Sequence, residues 1–229
     1  MNKIKDFFSD WSFKEKLWLA FVLIVQTTAW IINKETVFML IMTLTSSLNL
    51  VLGAKGKVIG LYFAIINSAM YAYSCLSIPL YGEIMYNVLY SIPVSIIAIV
   101  LWKKNTANNG EVKFRTMTPR FLINTLVITI VGIIAYSQIL KWMGGNFAFM
   151  DSLTTVVSCI ASLLYLLRYS EQWLMWVVVN ALSIVMWIMV LISGDKSAIL
   201  IIIMKLINLC NSSYGYWNWR KIAKEVAGN

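Results

Sequence analysis

The chain has 229 residues, of which 60% are hydrophobic and 13% charged, with a mean hydropathy of +0.75 and a formal charge of +9. Soluble domains carry roughly 25% charged residues, so this composition is that of an integral membrane protein. Its basic residues collect in loops and tails, where they orient helices and do not signal nucleic-acid binding.

In chain order, residues 1–16 place Ile4, Phe7, Phe8 and Trp11 on one helical face, with Lys3, Lys5, Asp6 and Asp10 elsewhere. That pattern predicts an amphipathic segment in the membrane interface. Residues 17–32 read as an extra N-terminal span. The preceding lysines give it the look of a signal peptide, but no small-residue cleavage site follows. Next come spans at 36–53, 58–77 and 80–102, each close to the ~20 residues that the hydrocarbon core requires. Residues 103–118 form the long polar stretch and read as a linker. Thr118 and Pro119 suit the N-cap and first position of a fifth span over 119–142. After a turn at Gly144, Gly145 and Asn146, spans follow at 148–167, 173–192 and 197–219, and a basic tail at 220–229 carries Arg220, Lys221 and Lys224.

The reading is therefore an all-α membrane protein of eight transmembrane helices. The positive-inside rule gives an internal check. With both termini in the cytoplasm, fifteen basic residues lie inside, against Lys34, Lys141 and Lys196 outside and Lys205 within a helix. Two positions recur: Asn67 precedes Trp102-Lys103-Lys104 by 35 residues, and Asn180 precedes Trp219-Arg220-Lys221 by 39. Spans over 36–102 and 148–219 then form two parallel three-helix repeats joined by the 119–142 helix, a 3+1+3 plan of the kind known in SWEET sugar transporters, whose parallel-repeat fold places the site at the repeat interface.

The seventh span holds the unusual stripe. Trp173, Trp176, Asn180, Ser183 and Trp187 follow one another at helical steps in QWLMWVVVNALSIVMW. Hydrocarbon offers an amide no partner, so Asn180 should look into the protein or a watery cavity, with indoles as its flat walls. Alternatively, Trp173 and Trp187 sit in the interfacial belt, and Asn67 and Asn180 are interhelical glue.

The QWLMWVVVNALSI run, the YGYWNWRK of Tyr214–Lys221 and the LYGE of Leu80–Glu83 resemble the PnuC family of bacterial vitamin transporters, from the second span to the C-terminus. The resemblance implies a SWEET-like homotrimer in the bacterial inner membrane. It implies uptake of nicotinamide riboside by facilitated diffusion, trapped by a cytoplasmic riboside kinase that feeds NAD biosynthesis. It also implies substrate contacts from Trp173, Trp176 and Asn180. Relatives of similar architecture carry thiamine, riboflavin or deoxynucleosides, so another such vitamin or nucleoside is the alternative.

A pyridinium ring wants indole faces, worth about 0.5–2 kcal/mol each, and a carboxamide and sugar hydroxyls want Asn, Ser or Tyr. Ser183, Asn67, Tyr71, Asn49, Tyr86, Asn87, Tyr90, Asn208 and Asn211 complete the candidate set, each equally open to a packing role. Lys205 lies about halfway along the eighth span, where an unpaired ammonium is costly, so an ion pair with Glu83 is expected. With no histidine in the chain, the acids singly at span ends, and Cys75, Cys159 and Cys210 dispersed in apolar runs, neither metal nor cofactor is expected. An intramembrane enzyme lacks its acid–base groups, so a membrane receptor or structural protein is the remaining alternative class.

Overall fold

A computed structural model describes residues 8–9, 11–78, 80–106, 112–145 and 148–227, with side chains described to residue 223. Apart from two single bridges, Thr106 with Val112 and Arg115 with Tyr169, its regular structure is helical. We number the helices α1 (Phe13–Asn33), α2 (Val37–Ala54), α3 (Ile59–Ser74), α4 (Tyr81–Lys104), α5 (Pro119–Trp142), α6 (Ala148–Leu166), α7 (Gln172–Ile192) and α8 (Ala198–Ala227).

Capping residues set the starts of three of them. Ser12 and Glu15 exchange side-chain and backbone bonds as a capping box at α1, and the hydroxyls of Thr36 and Thr118 accept the first free N–H groups of α2 and α5. Helix α4 contains a π-helical turn over Tyr86–Ser91, after which Pro93 stands at the start of its α-helical second part. Proline cannot accept regular α spacing behind it, and a π turn is one way a helix absorbs that.

Among the described residues, seven of these helices are long and apolar enough to cross a membrane. The exception among the eight is α3, whose 16 residues rise about 24 Å at 1.5 Å each. The reason lies in the sequence: the apolar run expected over 58–77 ends in Cys75–Ser77, where the chain turns out of the helix. The helix α8 runs on through Arg220 and Lys221, past the expected end of the span at Trp219.

The packing order closes a ring: α2 on α3, α3 on α4, α4 on α6, α6 on α7, α7 on α8, and α8 back on α2. The helix α5 packs on α6 outside the ring, exposing Ile123, Val127, Ile130 and Ile134. The helix α1 lies against α2 and α8, held by Gln26 to Ser47 at 2.5 Å and by Trp18 to Asn211 at 3.3 Å. A Glu15–Lys55 ion pair at 3.2 Å adds to that dock. Trp11 is buried against Val51 and Leu52, whereas Ile4, Phe7, Lys3, Lys5, Asp6 and Asp10 of the expected interfacial segment lie outside the described residues, as do Asn146 and residues 107–111 of the linker.

Buried polar side chains accompany apolar core clusters in the bundle, and large apolar side chains are also exposed on its outer surface. The ring interior holds Ser46 of α2 and Ser158 and Ser162 of α6, Ser47 and Ser152 are buried against α1 and α5, and many leucines, isoleucines and valines are exposed on the outer surface. Lipid solvates the apolar face, so the polar atoms must find partners within the bundle.

Candidate functional site

The ring encloses a cavity, open at its mouth, that is lined by residues from all six of its helices, α2, α3, α4, α6, α7 and α8. One end is an aromatic stopper. Trp102 and Trp219, in the late turns of α4 and α8, stand 5.8 Å apart centre to centre, and Tyr165 stacks on Trp219 at 5.6 Å and 13°. Trp173, in the first turn of α7, meets Trp219 edge to face at 5.5 Å. Below them Phe114 stacks on Trp219 at 3.9 Å and 18°. The segment carrying Phe114 is strapped in place: the Arg115 N–H donates to the Arg168 carbonyl at 2.8 Å, and the Ser170 N–H donates to the Arg115 carbonyl at 2.9 Å.

Above the stopper, Trp176 and Asn180 of α7 line the cavity one and two turns beyond Trp173. The Asn180 amide donates to the Trp176 carbonyl at 2.7 Å and to the Ser212 hydroxyl at 3.4 Å. Asn67 lines the same cavity from α3 and donates to the Met42 carbonyl of α2 at 2.8 Å. Both amides are thus tethered through nitrogen, which leaves the carbonyl oxygen as the group available to a ligand. Asn208 repeats the arrangement: its nitrogen donates to the Ser46 hydroxyl at 2.8 Å, and its buried oxygen has no partner. A buried acceptor without a donor costs about 1–3 kcal/mol, which a bound hydroxyl or amide would recover.

The π turn of α4 supplies a third wall with Tyr86, Asn87 and Ser91. The Tyr86 hydroxyl shares a hydrogen bond with Ser162 at 2.6 Å, and Asn87 donates to the Glu83 carbonyl at 2.7 Å. At the far end Tyr71 lines the cavity and accepts from the Trp187 indole at 3.0 Å. Lys205 holds its Nζ 4.6 Å from the centre of the Tyr71 ring.

Of the residues singled out in the sequence, Trp173, Trp176, Asn180, Asn67, Tyr71, Asn49, Tyr86, Asn87 and Asn208 are brought together around this one cavity. Three are not. Ser183 belongs to the stripe but is buried outside the cavity, with its hydroxyl unpartnered. Tyr90 turns to the Cys159 carbonyl at 2.8 Å. Asn211 faces α1 and accepts the Trp18 indole, because the helical step of three from Asn208 swings it to the adjacent face of α8. Trp173 and Trp187 are each 1% exposed, so both belong to the protein interior and neither forms an interfacial belt. Lys205 and Glu83 line the cavity together but make no direct bridge within 4.0 Å; the Tyr71 ring takes the ammonium instead.

Sequence reasoning passed over the contribution of α6. Ser158, Ser162 and Tyr165 line the cavity, and Asp151, at the start of the same stripe, accepts the N–H groups of Gly82 at 2.8 Å and Glu83 at 3.0 Å. The stripe from Asp151 through Thr154, Ser158 and Ser162 to Tyr165 has the same three-and-four spacing that draws attention to α7. Among the described residues no cluster of three or more His, Cys, Asp or Glu is placed to hold a metal ion.

Comparison with known proteins bears directly on this geometry. Residues 36–221 match the family model described as nicotinamide mononucleotide transporter. The chain is 33% identical to the nicotinamide riboside transporter PnuC of Neisseria mucosa over 98% of its own length and 87% of that protein's. The chain belongs to the PnuC family. A second member, PnuC of Haemophilus influenzae, is 34% identical over 97% of this chain and 96% of the relative. The solved structure described as the vitamin B3 transporter PnuC superposes with a TM-score of 0.88 at 32% identity, covering 96% of each chain. The PnuC proteins are membrane transporters and not enzymes, which accords with a polar, aromatic-walled cavity enclosed by membrane helices.

Proposed function

We propose that this PnuC-family protein takes up nicotinamide riboside by facilitated diffusion across the bacterial inner membrane, phosphorylation inside the cell trapping the product. The observation that carries the reading is the convergence of Trp173, Trp176 and Asn180 on one enclosed cavity whose amide oxygens are left for a ligand. The half-buried Trp176 offers the more accessible ring face, and Asn180, Asn67 and Asn208 supply acceptors for the carboxamide and ribose hydroxyls. The names of the relatives, nicotinamide riboside transporters, favour this substrate over thiamine, riboflavin or a deoxynucleoside.

The same reading takes α2–α4 and α6–α8 as parallel repeats, with α5 as the linker helix and α1 as an addition. The meeting of Trp102 with Trp219, and of Asn67 with Asn180 in one cavity, supports it, as does the position of α5 outside the ring. On this plan the aromatic stopper faces the cytoplasm together with both termini, the functional unit is a homotrimer, and a riboside kinase acts downstream.

Proteoliposomes containing the purified protein test the proposal. Uptake of labelled nicotinamide riboside should saturate, stop when internal and external concentrations are equal, and proceed without an ion gradient. Absence of uptake, or accumulation that requires protons or sodium, would overturn it.

A further inference from the structure

The cavity wall carries two charged side chains among its described residues, Glu83 and Lys205, and they are held differently. Glu83 is 4% exposed and sits in the first turn of α4, a turn that is tied to α6. Asp151 takes the N–H groups of both Gly82 and Glu83, and Thr155 adds its hydroxyl at 3.4 Å. A Cβ at position 82 would fall 2.5 Å from the Asp151 Oδ1 atom, so the close approach of this turn to Asp151 calls for glycine. Asp151 thereby accepts from backbone donors, whereas Glu83 lines the cavity.

Lys205 does not cancel it by contact. Its ammonium lies against the Tyr71 ring, a cation–π pairing, and stands beyond bridging distance of the Glu83 oxygens. A carboxylate in a water-poor cavity gains most from a partner of opposite charge that brings no competing anion. A nucleoside whose base is a permanent pyridinium cation is such a partner, and a neutral nucleoside of the same size is not.

Building on the riboside reading above, we infer that Glu83, which shares the cavity with Trp176 and Asn180 but stands toward its Tyr71 end, biases the site toward a cationic ring through its field and not by contact, with Lys205, parked on Tyr71, setting how much of that negative charge the ligand meets. Selection among nucleoside-like vitamins then has two parts. The indoles and amides accept any flat ring with hydroxyls, and Glu83 chooses the cation.

The test is calorimetric titration of the purified full-length protein with nicotinamide riboside and with its reduced dihydro form, which has nearly the same shape but a neutral ring. Wild type should bind the cation at least tenfold more tightly. Glu83→Gln, which keeps size and hydrogen bonding, should lower that cation-to-neutral ratio at least tenfold. Lys205→Met should raise it at least threefold, and it carries the test alone should Glu83→Gln melt near room temperature. A ratio unmoved in whichever variants fold overturns the inference while leaving the transporter reading standing. Wild-type protein that binds neither form overturns both.

Discussion

The indole of Trp173 occupies the space that a side chain at Gly215 would need: a Cβ there would lie 2.6 Å from the Trp173 Cδ2 atom. Glycine at this point of α8 is therefore a seat for the tryptophan that closes the cavity, and the crossing of α7 and α8 depends on it. Gly215→Ala should displace the ring or part the helices, lowering stability by about 1–3 kcal/mol, as overpacking does. A thermal melt of the detergent-solubilised protein checks this, and a melting temperature equal to wild type would contradict the close approach.

Trp173 and Trp176 should respond differently to truncation. Trp173 is fully buried among Tyr165, Trp219 and Gly215, so its replacement by alanine should cost about 3–5 kcal/mol of stability along with binding. Trp176 is half-buried and lines the cavity, so Trp176→Ala should weaken riboside affinity at least tenfold with a smaller change in melting temperature. The pair of measurements, calorimetry and melting, separates the two roles.

Ser183 provides the control within the stripe. It stands one turn beyond Asn180 but outside the cavity, so Ser183→Ala should leave affinity within about twofold, whereas Asn180→Ala removes an acceptor and should cost roughly 1–3 kcal/mol of binding, as leaving a buried polar group unpaired does. Equal losses in the two variants would mean that the stripe acts as a packing surface.

These cases show what could be read in the chain and what could not. Membrane residence and all-helical structure follow from composition and apolar run length, which need no tertiary information. The stripe on α7 was legible because an amide between indoles has no place in lipid. Asn211 and Tyr90 were not separable from Asn208 and Tyr86 in sequence, since a shift of three or four residues changes the neighbour a side chain meets and only the packing of α1 and α6 decides which. The Asp151 contact with Gly82 spans 69 residues, and serine and threonine stripes are too common in membrane helices to announce a cavity.

Asp151 anchors the start of α4, and the consequence is measurable. Asp151→Ala strands two buried N–H donors, each costing about 1–3 kcal/mol, so the protein should melt well below wild type, while Asp151→Asn, which retains an acceptor oxygen, should lose less. Identical melting of the two variants would remove the carboxyl from this role.

Phe114 ties the strap to the stopper. Its truncation to alanine forfeits the stack on Trp219 and leaves a void, which should destabilise by about 3–5 kcal/mol and release the backbone bonds between Arg115 and Arg168–Ser170. Hydrogen exchange read at the amides of Arg115 and Ser170 should accelerate markedly; unchanged protection would show the strap to be held by other contacts.

The most direct measurement is an experimental structure of the protein with nicotinamide riboside bound. The account predicts density inside the ring of α2–α4 and α6–α8, with the pyridinium against Trp176 and a polar group of the ligand on the amide oxygen of Asn180. Density between the helices and lipid, or a riboside seated away from Trp176 and Asn180, would contradict it.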